Sequence, residues 1–152
     1  MNIKRLIACF LVMALLGSGI SVFAAAESII IDGKIAEIPA DMGTITEKDD
    51  RTFVPIRFVM EYLGCYVDYD DSNHAATISS ANGAYIIQED NPVLYIVPFS
   101  SAESSALTMD TVPYINLEES RMYIPIRFLA EAIGYTVGWD EATQTVTLIA
   151  KK

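Results

Sequence analysis

An arginine and a glutamate stand four residues apart at two places in the chain, a spacing that puts opposite charges on one helix face. The pairs are Arg57 with Glu61 and Arg127 with Glu131. Such a pair could hold a charged ligand, or it could be an ion pair of the framework. An exposed ion pair contributes only about 0–1 kcal/mol, and its repetition fits a framework role equally well. We therefore predict a structural role for both pairs.

Three carboxylates close to one another suggest a calcium loop. Asp68, Asp70 and Asp71 offer the hard oxygen ligands that Ca²⁺ prefers. The loop pattern also requires a glycine and a bidentate glutamate, where this chain has Asn73 and Ser79. The sequence thus predicts no metal site, and Asp70 is interpreted as the start of a polar turn.

The usual catalytic groups are scarce. His74 is the single histidine, Cys65 is the single cysteine after residue 26, and a structural zinc site usually needs four N or S ligands. No serine stands in a nucleophile-elbow motif. A hydrolase using two carboxylates stays open because the chain has 20 acidic residues, although no placement singles out a pair. We predict no catalytic residue, metal or cofactor.

Aromatic side chains are the remaining candidates for binding, since Tyr and Trp can stack on sugars or anchor a protein partner. The candidates are Tyr66, Tyr69, Tyr85, Tyr95, Phe99, Tyr114, Tyr135 and Trp139. Two of them, Tyr69 and Trp139, share a strand face with Val67 and Val137. We therefore predict that these two rings pack in the core.

The elements that position the two charged pairs have identical local signals. Apolar residues recur at spacings of three, four and seven from Ile56, which is one face of a helix, and the pattern recurs 70 residues later. Pro55 and Pro125 precede these runs, and proline is favoured at the first helical position. Gly64 and Gly134 follow them and can end a helix in the left-handed conformation. We predict two helices of about nine residues.

After each glycine the apolar period changes to two, which predicts a strand, a polar turn beginning at Asp70 or Asp140, and a returning strand. Two further hairpins are predicted, over residues 28–38 around an Asp-Gly turn and over residues 84–98. Each charged pair therefore lies in a strand, helix and hairpin unit.

The two units form an internal repeat. Residues 51–79 align without a gap with residues 121–149, and ten of the 29 positions are identical. We predict an α+β fold of antiparallel β-sheets packed against two short helices, with repeat 1 at about 27–80 and repeat 2 at about 84–150. The loop between them is too short for an interdomain linker, so a single domain over 27–152 is expected.

The N-terminal residues predict export. Lys4 and Arg5 precede an apolar run and then small residues, which is typical of a signal peptide over residues 1–26, cleaved after Ala24 or Ala26. An uncleaved N-terminal anchor is the alternative. Without this segment 8 basic residues face 20 acidic ones, a net charge of −12, which argues against nucleic acid and anionic membranes as partners. Cys65 is expected to be buried, with pairing between chains as the alternative.

The doubled sequence resembles the copper amine oxidase N-terminal domain-like family, also called stalk domains. The residues that carry the resemblance are Arg51, Val54, Pro55, Ile56, Arg57, Phe58, Glu61, Gly64, Val67, Tyr69 and Asp70, and then Arg121, Ile124, Pro125, Ile126, Arg127, Phe128, Glu131, Gly134, Val137, Trp139 and Asp140. The resemblance implies an antiparallel sheet wrapped against a helix, in exported proteins of Gram-positive bacteria. It does not imply an oxidase, because that chemistry needs three copper-binding histidines and a quinone cofactor in a separate domain.

We predict an exported, non-catalytic binding module, secreted or held at the cell surface, with a cell-wall glycan or an envelope protein as its partner. The alternative is a structural spacer or assembly subunit that self-associates into a homo-oligomer. A carboxylate-dependent hydrolase ranks third. Neither nucleic acid nor, once the signal peptide is removed, membrane is expected to bind.

Overall fold

The computed structural model describes residue 26 and residues 28–152. The predicted signal peptide, apart from Ala26, lies outside the described residues. The elements follow in the order β1 (Ser28–Ile31), β2 (Lys34–Ala36), β3 (Thr46–Lys48), β4 (Arg51–Pro55), α1 (Ile56–Tyr62), β5 (Tyr66–Asp70), β6 (Ala75–Ser79), β7 (Gly83–Gln88), β8 (Val93–Pro98), β9 (Ser105–Thr108), β10 (Tyr114–Asn116), β11 (Arg121–Pro125), α2 (Ile126–Ala132), β12 (Tyr135–Asp140) and β13 (Thr145–Ala150). Across these described residues, no helix is both long and apolar enough to cross a membrane.

The central sheet has the order β10-β11-β4-β3, and its two inner strands are those that lead into the helices. β4 and β11 pair antiparallel, with Val54 opposite Ile124 and Pro55 opposite Tyr123. Val54 and Ile124 are 70 residues apart and fully buried. The pairing is therefore symmetrical about the Val54–Ile124 pair, and each strand presents equivalent residues to the other.

The helices are shorter than predicted, seven residues each instead of about nine. Pro55 and Pro125 are the last residues of β4 and β11, with ψ angles of 119° and 110°, so the expectation that they occupy the first helical position is wrong. The proline ring sets φ alone, and the same φ fits a strand or a helix. The pairing of β4 with β11 decides ψ and keeps both prolines extended.

Each helix ends at the predicted glycine. Gly64 has a φ of 78° and Gly134 a φ of 102°, both in the left-handed region. The Gly64 N–H donates to the Glu61 carbonyl at 3.0 Å, and the Cys65 N–H donates to the Met60 carbonyl at 2.9 Å. These two bonds form a Schellman motif, which satisfies carbonyls that the helix end would otherwise leave unpaired.

The two hairpins that follow the helices enter different sheets. β5 and β6 begin an antiparallel sheet of order β5-β6-β7-β8-β9, which contains the predicted hairpin β7–β8. β12 and β13 join β1 and β2 in the order β12-β13-β1-β2. The predicted turn between β1 and β2 has positive φ at both Asp32 and Gly33. β3, β9 and β10 were not predicted.

One pairing in this last sheet is parallel, and the sequence did not predict it. β1 runs alongside β13, with Ile29 opposite Val146 and Ile31 opposite Leu148. All four of these side chains are at most 5% exposed. The beginning and the end of the described chain are therefore held in one sheet by a shared apolar face.

Apolar side chains from both helices and all three sheets form one buried cluster. Cys65 belongs to this cluster, which confirms its predicted burial, and burial raises the pKa of its thiol. Phe53, Tyr114 and Tyr123 stack separately, with ring centroids 5.3 Å apart in successive pairs. The fold is thus α+β, mostly antiparallel sheet with two short helices, as predicted.

Replacing Ile29 by alanine tests the parallel pairing. Ile29 is fully buried, so we expect the free energy of unfolding to fall by about 2–5 kcal/mol in urea titration. Ile35, on the neighbouring strand β2 and 65% exposed, is the matched control, and Ile35→Ala should change it by less than about 0.5 kcal/mol. Equal effects of the two changes would contradict the pairing.

Gly64→Val tests the helix ending. An added Cβ at Gly64 would meet no heavy atom within 4 Å, so its cost comes from the positive φ alone. We expect a loss of about 1–2 kcal/mol in thermal or urea unfolding. Gly64→Asn should cost less, because asparagine enters the left-handed region more readily. A valine variant as stable as the parent would show that the end of the helix does not require a residue with positive φ at position 64.

Candidate functional site

A cleft of about 300 Å³ lies beside the end of β4, and we name it the Tyr69 cleft. Its walls include the strand–helix corner Pro55–Arg57 and the side chains of Val67 and Tyr69 on β5. The opposite wall includes Arg121, the first residue of β11, and Leu117 from the preceding turn. The cleft therefore combines an aromatic ring, an apolar corner and two arginines.

A second cleft of about 360 Å³ lies beside the end of β11, and we name it the Trp139 cleft. The corner Pro125–Arg127 and the side chains of Val137 and Trp139 line one side. Arg51, the first residue of β4, lines the other side together with Asp110. Five of these lining residues have a counterpart 70 residues earlier in the Tyr69 cleft, namely Pro125, Ile126, Arg127, Val137 and Trp139, and Arg51 corresponds to Arg121.

The antiparallel pairing of β4 and β11 explains why the clefts match. Phe53 of β4 lies opposite Pro125 of β11, so the start of each strand is close to the end of the other. Each cleft therefore lies between the strand–helix corner of one unit and the arginine that begins the central strand of the other unit. That arginine is Arg121 in the Tyr69 cleft and Arg51 in the Trp139 cleft.

The clefts contain the arginines of an acidic protein. Arg51, Arg57, Arg121 and Arg127 are all the arginines after residue 26, and all four line a cleft. The whole chain has a formal net charge of −10. The two clefts are thus where this protein can offer planar hydrogen-bond donors to a ligand.

In the Trp139 cleft, the protein itself supplies a carboxylate. Nε and Nη2 of Arg51 donate to Oδ2 of Asp110 at 3.1 and 2.5 Å. This hydrogen bond, with a further contribution from the charge of Arg127, holds the pKa of Asp110 below its usual value. The same bond raises the pKa of Arg51. The two side chains are 44% and 47% exposed, so the pair stabilises the fold by less than about 1 kcal/mol.

In the Tyr69 cleft, the arginines bind mainly neutral acceptors. Arg121 donates to the backbone carbonyl of Asp41. Nη1 of Arg57 donates to the Val67 carbonyl and to Oε1 of Glu61, both at 3.3 Å. Within the described part of the chain, Asp71 is the one acidic residue that lines this cleft.

Tyr69 and His74 complete the Tyr69 cleft. Burial raises the pKa of the Tyr69 phenol, and the nearby charges of Glu89 and Asp71 raise it further. Nδ1 of His74 is 2.7 Å from Oε2 of Glu89, and this contact orients the imidazole ring at the edge of the cleft.

The predicted ion pairs have different outcomes. Arg57 and Glu61 are in contact, as predicted. Arg127 and Glu131 are not, and the prediction of a second pair is wrong. Among residues 28–152, no hydrogen bond or ion pair involves the Arg127 guanidinium, which lies in the Trp139 cleft and acts on Asp110 through its charge.

The prediction that Trp139 packs in the core is also wrong. Its side chain is 40% exposed and borders the Trp139 cleft. Tyr69, its counterpart, is half-buried and packs against the core. The indole of Trp139 is therefore open to a ligand.

Asp70 and Asp140 begin turns, in agreement with the sequence interpretation. Oδ1 of Asp70 accepts from the N–H of Ser72 at 2.9 Å, and Oδ1 of Asp140 accepts from the N–H of Ala142 at 2.9 Å. Hydrogen bonds from Ser72 and then Asn73 lower the pKa of Asp70. A search of the described residues finds no group of three or more His, Cys, Asp or Glu side chains that could hold a metal ion.

Sequence reasoning missed three residues of the clefts. Arg51 and Arg121 follow acidic segments of the sequence, a pattern that predicts solvated turn residues, whereas each begins a central strand and lines a cleft. Their recurrence at the offset of 70 was a signal that could have found them. Asp110 stands outside the repeated segments, and nothing in its local sequence indicated its contact with Arg51.

Three sheets around two short helices, with a cleft at each strand–helix corner, define a small α+β module. Residues 30–148 match the family model of the copper amine oxidase N-terminal domain, so the chain belongs to that family. In copper amine oxidases this domain is a non-catalytic one. No curated protein and no solved structure gives a significant match.

Proposed function

We propose that this protein is an exported, non-catalytic module that binds cell-wall glycan at its two clefts. One observation carries the proposal. The same cleft, with an aromatic ring, an apolar corner and two arginines, is built twice from residues 70 positions apart.

The matching clefts also support an internal duplication. The central pairing is symmetrical about Val54 and Ile124, and each half contributes strand, helix and hairpin in the same order. We infer that residues 27–152 form one domain from two repeats, since their side chains share one buried cluster.

The chemistry of the Trp139 cleft suits a sugar. The C–H face of a pyranose ring packs on an exposed indole, and its hydroxyl groups can exchange hydrogen bonds with the Arg51–Asp110 pair beside it. Both clefts are at the lower end of the range of about 300–1,000 Å³ for small-ligand sites. That size favours one or a few sugar rings over an envelope protein as the occupant.

Non-catalytic binding is supported by the state of Asp110, one of the three carboxylates that line the Trp139 cleft. A glycosidase needs a carboxylic acid with a raised pKa beside a second carboxylate. The pKa of Asp110 is lowered instead, and its Oδ2 is engaged by Arg51. This favours a hydrogen-bonding role for Asp110.

A self-associating spacer is the second candidate, favoured by one observation. β9 is the edge strand of the five-stranded sheet and all four of its residues are exposed, so a second copy could add a strand there. The burial of Cys65 gives no support to a disulfide between chains. Light scattering that finds a monomer at every concentration would remove this candidate.

Trp139 is the only tryptophan of the chain, so its fluorescence reports directly on the cleft. We expect a saturable change in emission when soluble fragments from a muramidase digest of bacterial cell wall are added to the purified protein. We also expect retention of the protein on the insoluble wall. Trp139→Ala should weaken retention to what the Tyr69 cleft alone supports, whereas Trp139→Phe, which keeps an aromatic ring, should weaken it less.

Ile149→Ser is the matched control for this titration. Ile149 is a 58% exposed apolar residue on β13, on the opposite face of the sheet from Trp139. Its replacement should leave both readouts unchanged. The absence of any emission change and of any retention by the parent protein would remove glycan binding as the function.

Export has its own test. Ala26 is 5% exposed and belongs to the buried cluster, which favours cleavage after Ala24 over cleavage after Ala26. We expect N-terminal sequencing of the protein from the culture medium or cell surface to begin at Ala25. Recovery of the chain in the cytosol with Met1 and Asn2 intact would contradict export.

A further inference from the structure

Asp110 shows how a cleft of this construction holds a carboxylate. Two nitrogens of Arg51 donate to its Oδ2, and the charge of Arg127 adds to the attraction. Planar guanidinium groups are well matched to carboxylate oxygens. Oδ2 of Asp110 is therefore bound by Arg51, which begins the central strand of the first unit, near Arg127 at the strand–helix corner of the second unit.

The Tyr69 cleft has the same two arginine positions without an internal carboxylate between them. Arg121 corresponds to Arg51, and Arg57 corresponds to Arg127. Where Arg51 meets a side-chain carboxylate, Arg121 meets the neutral backbone carbonyl of Asp41. The single contact recorded between Arg57 and a carboxylate is at 3.3 Å to Glu61, and both of those side chains are more than 40% exposed.

Charge separates the two clefts further. Glu47, Asp50 and Asp110 line the Trp139 cleft together with its two arginines, which gives a formal charge of −1. Within the described chain, Asp71 is the one acidic residue that lines the Tyr69 cleft, so its lining has a formal charge of +1 with His74 neutral, or 0 when Glu61, which contacts Arg57, is included. The Tyr69 cleft is therefore less negative than the Trp139 cleft, and an anion enters it more readily.

We propose that the Tyr69 cleft binds a carboxylate of the glycan between Arg57 and Arg121, in the position that Asp110 occupies beside Arg127 and Arg51. The ligand class is an acidic sugar, such as a uronic acid unit, whose ring contacts Tyr69 and the corner at Pro55. This rests on the proposed function, because it names the sugar that one of the two clefts takes.

Arginine side-chain NMR signals can locate the anion. Glucuronic acid and glucuronamide differ in charge but hardly in shape, and each is titrated into the ¹⁵N-labelled protein. We expect the Nε–Hε signals of Arg57 and Arg121 to move with the acid, which should bind about tenfold more tightly than the amide, or about 1.4 kcal/mol. Added salt should reduce this preference.

Single substitutions test which side chains bind the carboxylate of the acid. Arg121→Gln should remove the preference for the acid over the amide, while Arg121→Lys should keep part of that preference. Asp110→Ala should free Arg51 and remove one of the three carboxylates of the Trp139 cleft, so that the acid also moves the signals of Arg51 and Arg127. Lys34→Gln removes an exposed positive charge outside the clefts and should change nothing.

The proposal is overturned if the parent binds acid and amide equally, or if the acid leaves the signals of Arg57 and Arg121 unmoved. It is also overturned if glycerol phosphate binds more tightly than glucuronic acid, because the cleft would then be a phosphate site. Equal binding of acid and amide with a normal Trp139 response to wall fragments would leave the proposed function standing. Loss of both responses would remove both.

Discussion

The antiparallel contact between β4 and β11 is the constraint on which the other features of this protein depend. Val54 and Ile124 face each other in the ladder and are fully buried, so the two central strands cannot slip without exposing apolar surface. The same register keeps Pro55 and Pro125 extended and starts both helices at the next residue. It also brings the first arginine of each strand to the corner of the other unit, which creates the clefts.

The two halves of the fold differ in the strands that extend their hairpins and in the residues that line their clefts. The first hairpin is extended by β7, β8 and β9, whereas the second is completed by β1 and β2 from the start of the described chain. One cleft has an internal carboxylate from Asp110 and an exposed indole, and the other has two arginines that meet neutral carbonyls. A symmetrical framework thus carries two clefts of different charge.

Sequence patterns predicted the fold more fully than the site. Both helices, both glycine endings and four hairpins follow from signals within about ten residues. The parallel pairing of β1 with β13 joins residues more than 110 positions apart, and no local signal indicates it. Trp139 has the same alternating pattern as Tyr69, yet it is 40% exposed whereas Tyr69 packs against the core. The contact between Arg51 and Asp110 joins residues 59 positions apart, and no local sequence signal predicts it.

The sequence by itself determined the local backbone, that is, where each helix lies, which glycine ends it and which residues form turns. It also determined the family, because the doubled motif indicates the copper amine oxidase N-terminal domain. Local propensity and apolar periodicity act over a few residues, so they can be read from the chain directly. The tertiary structure alone decided which arginine meets a carboxylate, which aromatic ring is open to solvent, and that two clefts exist. Those features depend on strand pairing between distant segments, which is set by the shared burial of apolar faces.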